Sequence, residues 1–370
     1  MFKVVLIKDQ FIKTAALVMQ VISPRPSLPV LGNFLLDAQR GRLEIVGTDL
    51  ETTIHHRLSA KVLGDGKITA PAKILVDFCQ AVSGDNVTLE LRKDTLSAKG
   101  GQAEASFPTM SEREYPDIAK FEPQGKIEIE AQELLEAIAQ IAFSAAPEEG
   151  RPILTGVLLR VDKGSGEMVA TDGYRLAKKG LELQGKIDVL VPARVLREAA
   201  RILTDKEGTK VEIASNLENN QVRLKSTDST ITTRLLDGDY PNYEQIIPTS
   251  YVAETRLNSK EFSDAVKLAA LFAKDIGNVA RLSTEEGQLI VAASTASVGE
   301  ATTKVAAKNS GERLKAAFNS RFLIEAAGSI KSSEIRISFS GSTSAALLRG
   351  DKDNNLTHVV MPVRTTSVDD

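Results

Sequence analysis

Three arginines spaced to lie side by side, Arg194, Arg197 and Arg201 in PARVLREAARIL (192–203), are the residues of this sequence best placed to act together. At about 100° per residue they fall within roughly a 60° arc of a helix. Val195, Leu196, Ala199, Ile202 and Leu203 occupy a different arc, toward a core. Such a row is often only a solvated face. Arg194, however, stands in the first turn, where the helix already carries partial positive charge and a cation is mildly unfavourable. Lys73 in PAKILVDFCQAV and Arg321 in FNSRFLIEAAGSI stand at the same place in two further segments of the same shape. A disfavoured position filled three times with one sign argues for an anionic partner. If the three helix starts face one surface, dipole and side chain both attract phosphate. The chain has no Trp and shows no helix-turn-helix, zinc finger or aromatic stacking platform. The expected contact is therefore to a DNA backbone, independent of base sequence.

Other chemistry finds little support. The three histidines are His55, His56 and His358, and adjacent strand residues point to opposite faces, so the first two make a poor chelate. With one cysteine and no HxxxH or HExxH, no metal site is expected. No GxxxxGK[ST], GxGxxG or Ser/His/Asp context is present, and no catalytic residue or cofactor is assigned. Carboxylates are plentiful but no acid pair can be picked out. Cys79, four residues after Leu75 on an apolar face, reads as an inert buried thiol. A lone cysteine forms no internal disulfide and fits a reducing cytosol, so a cytoplasmic location is expected. The charged start, MFKVVLIKDQFIK, does not read as a signal peptide, and no apolar run approaches the ~18 residues of a membrane helix. The net charge of −3 rules out global basicity, though not local segregation of sign. On the residues alone, a carboxylate hydrolase built on duplicated β-rich domains and a protein-binding repeat scaffold stay open. Neither has a reason to repeat a basic residue at a helix start.

The elements that carry these residues repeat. With 370 residues, two or three domains are expected. Pro29-Val30-Leu31 recurs as Pro152-Ile153-Leu154, and Thr48-Asp49 as Thr171-Asp172, both 123 positions on. Pro71-Ala72-Lys73 recurs as Pro192-Ala193-Arg194, 121 positions on. A fainter third copy runs from RLNSKEFSDAVKLAALFA (256–273) to FNSRFLIEAAGSI (318–330), without the Thr-Asp turn. Each copy reads as strand, amphipathic helix, alternating strands, second helix, alternating strands. Turns are signalled at Gly41 and in SGDN, DKGSGE and EEGQ. The predicted fold class is α+β, with two helices and roughly eight mostly antiparallel strands per repeat and the helices on one face of the sheet layer. Linker-like FEPQGK and IPTSYVA set the domains at 1–122, 123–249 and 250–370.

RPSLPVLGN, RPILTGV, ATDGYRLA, LDGDYPNYEQIIP and the terminal VVMPVR resemble the bacterial sliding clamp family, the beta subunits of DNA polymerase III, over essentially the whole chain. The resemblance implies a non-enzymatic head-to-tail homodimer, a closed ring of six domains with helices lining the hole. Such a ring encircles double-stranded DNA and tethers the replicative polymerase, the clamp loader and other proteins through short peptides, which confers processivity. It implies DNA contacts at Arg25, Lys73, Arg151, Arg194, Arg197, Arg201 and Arg321. It implies a peptide cleft from Leu154, Thr171, Gly173, Tyr174, Arg175, Leu176, Pro241, Ile246, Val359, Val360, Met361, Pro362, Val363 and Arg364. Leu176, Ile246 and Met361 would be its apolar walls, although VVMPVR alone also reads as a last edge strand, which Pro362 suits. The dimer contact would set ALFAKDIGN against the edge strand QAEASFP, with Phe107, Leu271 and Phe272 as apolar candidates. Three departures from the family pattern are Glu148-Glu149 in the loop before Arg151, Gln245 where some members carry a basic residue, and TTSVDD beyond Arg364.

Overall fold

The computed structural model describes residues 2–117, 120–147, 150–203, 208–274 and 277–364. Glu148-Glu149 and the TTSVDD extension lie outside the described residues. The predicted order of elements recurs three times. In the first repeat strand Lys3–Ile7 leads into α1 (Lys8–Val18), and α2 (Ala72–Ala81) follows the middle strands. The second has Gly125–Glu130, α3 (Ala131–Ile141) and α4 (Ala193–Ile202) in the same places. The third has Ala253–Asn258, α5 (Ser259–Leu271) and α6 (Ser320–Ser329). Among the described residues the repeats hold nine, eight and eight strands. The extra one arises where Lys61–Gly64 and Gly66–Pro71 divide at Asp65.

The three repeats condense into two compact units. One comprises Met1–Leu135, Gly185–Ile187 and Arg194–Leu235; the other comprises Glu136–Gln184, Asp188–Ala193 and Leu236–Asp370. The reason lies in the sheets. In the first unit the antiparallel order runs Gly66–Pro71, Asn33–Gln39, Arg42–Thr48, Thr52–Ser59, then into the second repeat through Ser229–Arg234, Gln221–Lys225, Lys210–Asn216 and Gly125–Glu130. The second unit repeats this device. Gly156–Asp162, Ser165–Thr171 and Arg175–Leu181 continue into the third repeat through Leu356–Val360, Ala346–Gly350, Glu334–Phe339 and Ala253–Asn258. At each junction the third middle strand of one repeat pairs with the last strand of the next. Backbone hydrogen bonding across the junction makes it part of a core, so packing follows the sheets while the sequence follows the repeats.

Helices bury the faces that their periodicity predicts. In α4 and at its end the five apolar positions Val195, Leu196, Ala199, Ile202 and, just beyond the helix, Leu203 are buried, and Arg194, Arg197 and Arg201 are exposed. α1 buries Phe11, Ala15 and Val18 and packs on α2, which buries Leu75, Val76 and Cys79. Burial pushes the Cys79 thiol up to about 12, so it stays protonated and inert at neutral pH, as expected. α5 and α6 pack together in the second unit. Asn258 and Asn319 cap them by accepting from the amides of Lys260 and Glu261, and of Arg321.

Candidate nucleic-acid interface and candidate peptide cleft

The repeated cations are exposed, and each has a partner that the sequence reading missed. Lys73, Arg194 and Arg321 occupy the first turns of α2, α4 and α6. Lys73 Nζ lies 3.0 Å from Asp77 Oδ2, Arg194 Nη1 3.5 Å from Glu198 Oε1, and Arg321 Nε 3.1 Å from Glu325 Oε1. Every pair is i,i+4, a spacing visible in the sequence once the helix is assigned. These pairs answer part of the puzzle of a cation at the wrong end of a helix. An exposed i,i+4 pair contributes only about 0.3–0.5 kcal/mol, and a base preceding its acid is the weaker order. The side chains therefore remain free to exchange a carboxylate for a phosphate. Arg194 also reaches Asp49 Oδ2 at 3.8 Å. Glu198, half-buried beside these arginines, has its carboxyl pushed up by burial against the pull of Arg194. Arg25, Arg197 and Arg201 are exposed as well.

The second site is built on the turn Thr171–Arg175. Thr171 Oγ1 donates to the Arg175 carbonyl at 2.6 Å and accepts from the Gly173 amide. Asp172 Oδ1 accepts from the amides of Tyr174 and Arg175 at 2.9 and 3.0 Å. Gly173 at φ +90° supplies the left-handed step, and only an Arg151 guanidinium nitrogen, at 3.7 Å, stands near where a Cβ would be. Arg151, expected at the duplex, thus lies at the rim of this turn. Tyr174 stands out at 69% exposure, and its carbonyl accepts from the Met361 amide at 2.9 Å. Under the turn lies an apolar floor that includes Leu158, Val169, Leu176, Leu347 and Val359, with Ile153, Tyr240 and Ile247 packed against it.

Arg175 holds the turn from inside. Its side chain is only 7% exposed. Nε donates to Asp172 Oδ2 at 3.0 Å, Nη2 to the Phe143 carbonyl at 2.5 Å and Nη1 to Glu325 Oε2, while the guanidinium lies 4.4 Å from the Phe322 ring centre. Glu325 therefore joins Arg321 through one oxygen and Arg175 through the other. Below, buried His358 accepts or donates through Nε2 to Ser329 Oγ at 2.7 Å and stacks on Phe143. Burial, with the Arg175 charge nearby, lowers its pKa to about 3, so it is neutral.

Comparison with known proteins decides what this arrangement is. Profiles of the DNA polymerase III beta subunit match in succession: the N-terminal domain over residues 2–119, the central domain over 128–242 and the C-terminal domain over 244–364. The beta sliding clamp of Synechococcus elongatus is 32% identical over 99% of this chain and 100% of its own length. The chain belongs to the beta sliding clamp family. The clamp of Haemophilus influenzae is 28% identical over 96% of this chain and 98% of its own. Among solved structures, the sliding clamp of Bacillus subtilis superposes with a TM-score of 0.92 at 26% identity, covering 98% of this chain and 99% of its own. A Pseudomonas aeruginosa sliding clamp bound to griselimycin does so with 0.92 at 28%, covering 98% and 100%. A sliding clamp is a replication processivity factor and not an enzyme, which removes the hydrolase.

Within this clamp the fourteen residues implied for the cleft divide into two sets. Gly173, Tyr174, Pro241, Ile246, Met361 and Arg364 are exposed, with Pro362 and Val363 half-buried. Leu154, Thr171, Arg175, Leu176, Val359 and Val360 are buried beneath them. The reading of VVMPVR as an edge strand is corrected: Leu356–Val360 pairs on both sides, with Arg175–Leu181 and with Ala346–Gly350. Only the segment after it, with Pro362, leaves the sheet, and the Val363 amide ties it to the Ala317 carbonyl at 2.8 Å. Of the dimer candidates Leu271 is 57% exposed and Phe272 half-buried. Phe107, the third candidate, is 7% exposed and meets Phe78 edge-on at 5.8 Å. No cluster of metal-ligating residues occurs among the described residues, and His55 and His56 turn to separate partners, Glu44 and Ser229. No helix among the described residues is long and apolar enough to cross a membrane.

Proposed function

We propose that two copies of this clamp close head to tail into a ring of six repeats that encircles duplex DNA and slides along it in the cytoplasm. The observation that carries this reading is the junction rule. Twice within the chain the third middle strand of one repeat pairs with the last strand of the next. One strand of each kind is left over at the ends of the series. Ala103–Pro108, the last strand of the first repeat, pairs on one side only among the described residues. Residues Gly299–Ala306 of strand Gly299–Gly311 do likewise, bonded only to Gln288–Thr295. Long unpaired edges are ordinarily covered. A second copy supplies the cover for both, and a heterologous contact that closes gives a ring. Exposed Leu271, beside half-buried Phe272, supplies apolar surface for that contact.

Arg25, Lys73, Arg194, Arg197, Arg201 and Arg321 then meet phosphates along the hole. Arg151 is better read with the cleft, since its guanidinium neighbours Gly173. Topological retention lets the individual contacts stay weak, which fits cations that also have carboxylate partners. The floor beneath Tyr174, Ile246 and Met361 takes short apolar peptides of the polymerase, the clamp loader and other partners. Met361 suits a site that accepts varied sequences. The griselimycin-bound relative supports a ligand site in clamps of this kind. The test is retention on DNA after loading. The clamp should stay on closed circles and run off linear ends; equal retention on both defeats the ring.

A further inference from the structure

The turn that carries the peptide cleft exists twice in this chain. Thr48–Thr52 in the first repeat reproduces the side-chain-to-backbone bonds of Thr171–Arg175, with Thr52, bonded to Thr233 Oγ1, in place of the Arg175 guanidinium that holds Asp172. Thr48 Oγ1 donates to the Thr52 carbonyl at 3.0 Å and accepts from the Leu50 amide at 3.1 Å. Asp49 Oδ1 accepts from the amides of Glu51 and Thr52 at 3.0 and 2.7 Å. The Arg234 amide donates to the Glu51 carbonyl at 3.0 Å, as the Met361 amide does to that of Tyr174. Tyr115 Oη reaches the Val46 carbonyl at 3.3 Å, as Tyr240 Oη reaches that of Val169 at 3.5 Å. The ladders correspond too: Thr53 faces Thr232 where Leu176 faces Val359. The first repeat junction is thus a second copy of the cleft scaffold.

Its surface chemistry is inverted. Glu51 stands where Tyr174 stands and Arg234 where Met361 stands, and all four are exposed. Half-buried Thr53 and Thr232 replace the buried floor pair Leu176 and Val359. Leu50 holds the left-handed position at φ +80°, where a Cβ on Gly173 would meet an Arg151 guanidinium nitrogen at 3.7 Å. An apolar peptide laid here must strip water from a carboxylate and a guanidinium without replacing it, which is one way a site rejects the wrong ligand. We infer that Leu50, Glu51, Thr53, Thr232 and Arg234 shut the first junction to apolar partner peptides, so that each chain offers one docking cleft from two equivalent scaffolds. This rests on the peptide cleft proposed above.

The experiment counts sites by isothermal titration with a peptide carrying the clamp-binding segment of the replicative polymerase. The wild type should bind one peptide per chain. Tyr174→Glu with Met361→Arg, which writes the first junction's chemistry into the second, should weaken binding by about tenfold or more. The graft Leu50→Gly, Glu51→Tyr, Thr53→Leu, Thr232→Val, Arg234→Met, with an unchanged melting profile, should bind two peptides per chain. Two sites per chain in the wild type, or one in a folded graft, overturns the inference. Should the graft fail to fold, full affinity of Tyr174→Glu/Met361→Arg overturns it. A wild type that binds no peptide overturns the cleft itself, a different result.

Discussion

In the proposed cleft Arg175 serves the site without touching what would bind. Its guanidinium is consumed by Asp172, Glu325 and the Phe143 carbonyl and lies over Phe322, so it fixes the turn that presents Tyr174. Removing one member of a buried ionic set strands the others, at a cost of about 3–5 kcal/mol. Arg175→Ala should lose that much in urea unfolding, and Arg175→Lys should recover little, because a point charge cannot serve three acceptors and stack. His358 just below makes a prediction in pH. Burial holds its folded pKa near 3, below the ordinary 6.5. The unfolded chain therefore takes up a proton that the folded chain refuses as pH falls below about 6.5. Stability is fullest above that pH and declines down to about 3, at up to about 1.4 kcal/mol per pH unit for this group. Half-buried His56, also lowered by burial, adds to the same decline. Glu44, held down at about 2 chiefly by His55, whose Nδ1 lies 3.7 Å away, and also by Arg57, loses its contribution only below the ordinary 4.5. Between pH 6 and 5 the slope should therefore drop by about one proton in His358→Gln, measured by denaturant titration at each pH; an unchanged slope means that His358 is charged in the folded state.

Helices α2, α4 and α6 carry the argument for DNA, and each presents a base with its own acid one turn on. If the cations meet phosphates, Arg194→Ala, Arg197→Ala and Arg201→Ala together should lower the salt slope of direct DNA binding by up to about 0.9 per lost phosphate contact. Asp77→Asn and Glu198→Gln should do the opposite and tighten binding at low salt, since they free Lys73 and Arg194 from the competing carboxylate. Tightening by either variant is not expected of a merely solvated face. How much of this was legible in the sequence depends on the range of the interaction. The arginine arc and the five buried positions of α4 and its end follow from period alone, and the Thr171-Asp172 turn from its duplicate. Leu356–Val360 did not read as a central strand, because Thr357 and His358 break the apolar run. The structure makes both acceptable by long-range bonds, with Thr357 Oγ1 accepting from Arg349 Nε at 2.9 Å and His358 bonded to Ser329. The inward bonding of Arg175 was hidden for the same reason: beyond Asp172, three positions back, its partners are 32 and 150 positions away.

At the scale of the whole molecule, joining the repeats by one strand-pairing rule leaves one strand of each kind over among the described residues, and these are the edges that a second chain is proposed to close. The proposed closure puts the outward N–H and C=O groups of Ala103–Pro108 against those of residues Gly299–Ala306 in the other copy. In an antiparallel edge strand successive residues point their amides alternately inward and outward. Of Ala105→Pro and Ser106→Pro, one must therefore remove a donor from the clamp's own sheet and the other a donor from its free edge. The first should lower the melting temperature of a monomer and dimer alike. The second should leave the fold intact and weaken only the dimer, shifting the mass in light scattering from twice 39.9 kDa toward 39.9 kDa. Leu271→Asp, on the exposed end of α5, should act as the second does, because it sets a charge into the proposed contact while touching little of its own core. A clamp opened in either way should lose its preference for circular over linear DNA and keep its affinity for a partner peptide, since the cleft lies wholly within one chain. Full retention on circles by a monomeric variant would separate DNA holding from ring closure and defeat the topological reading.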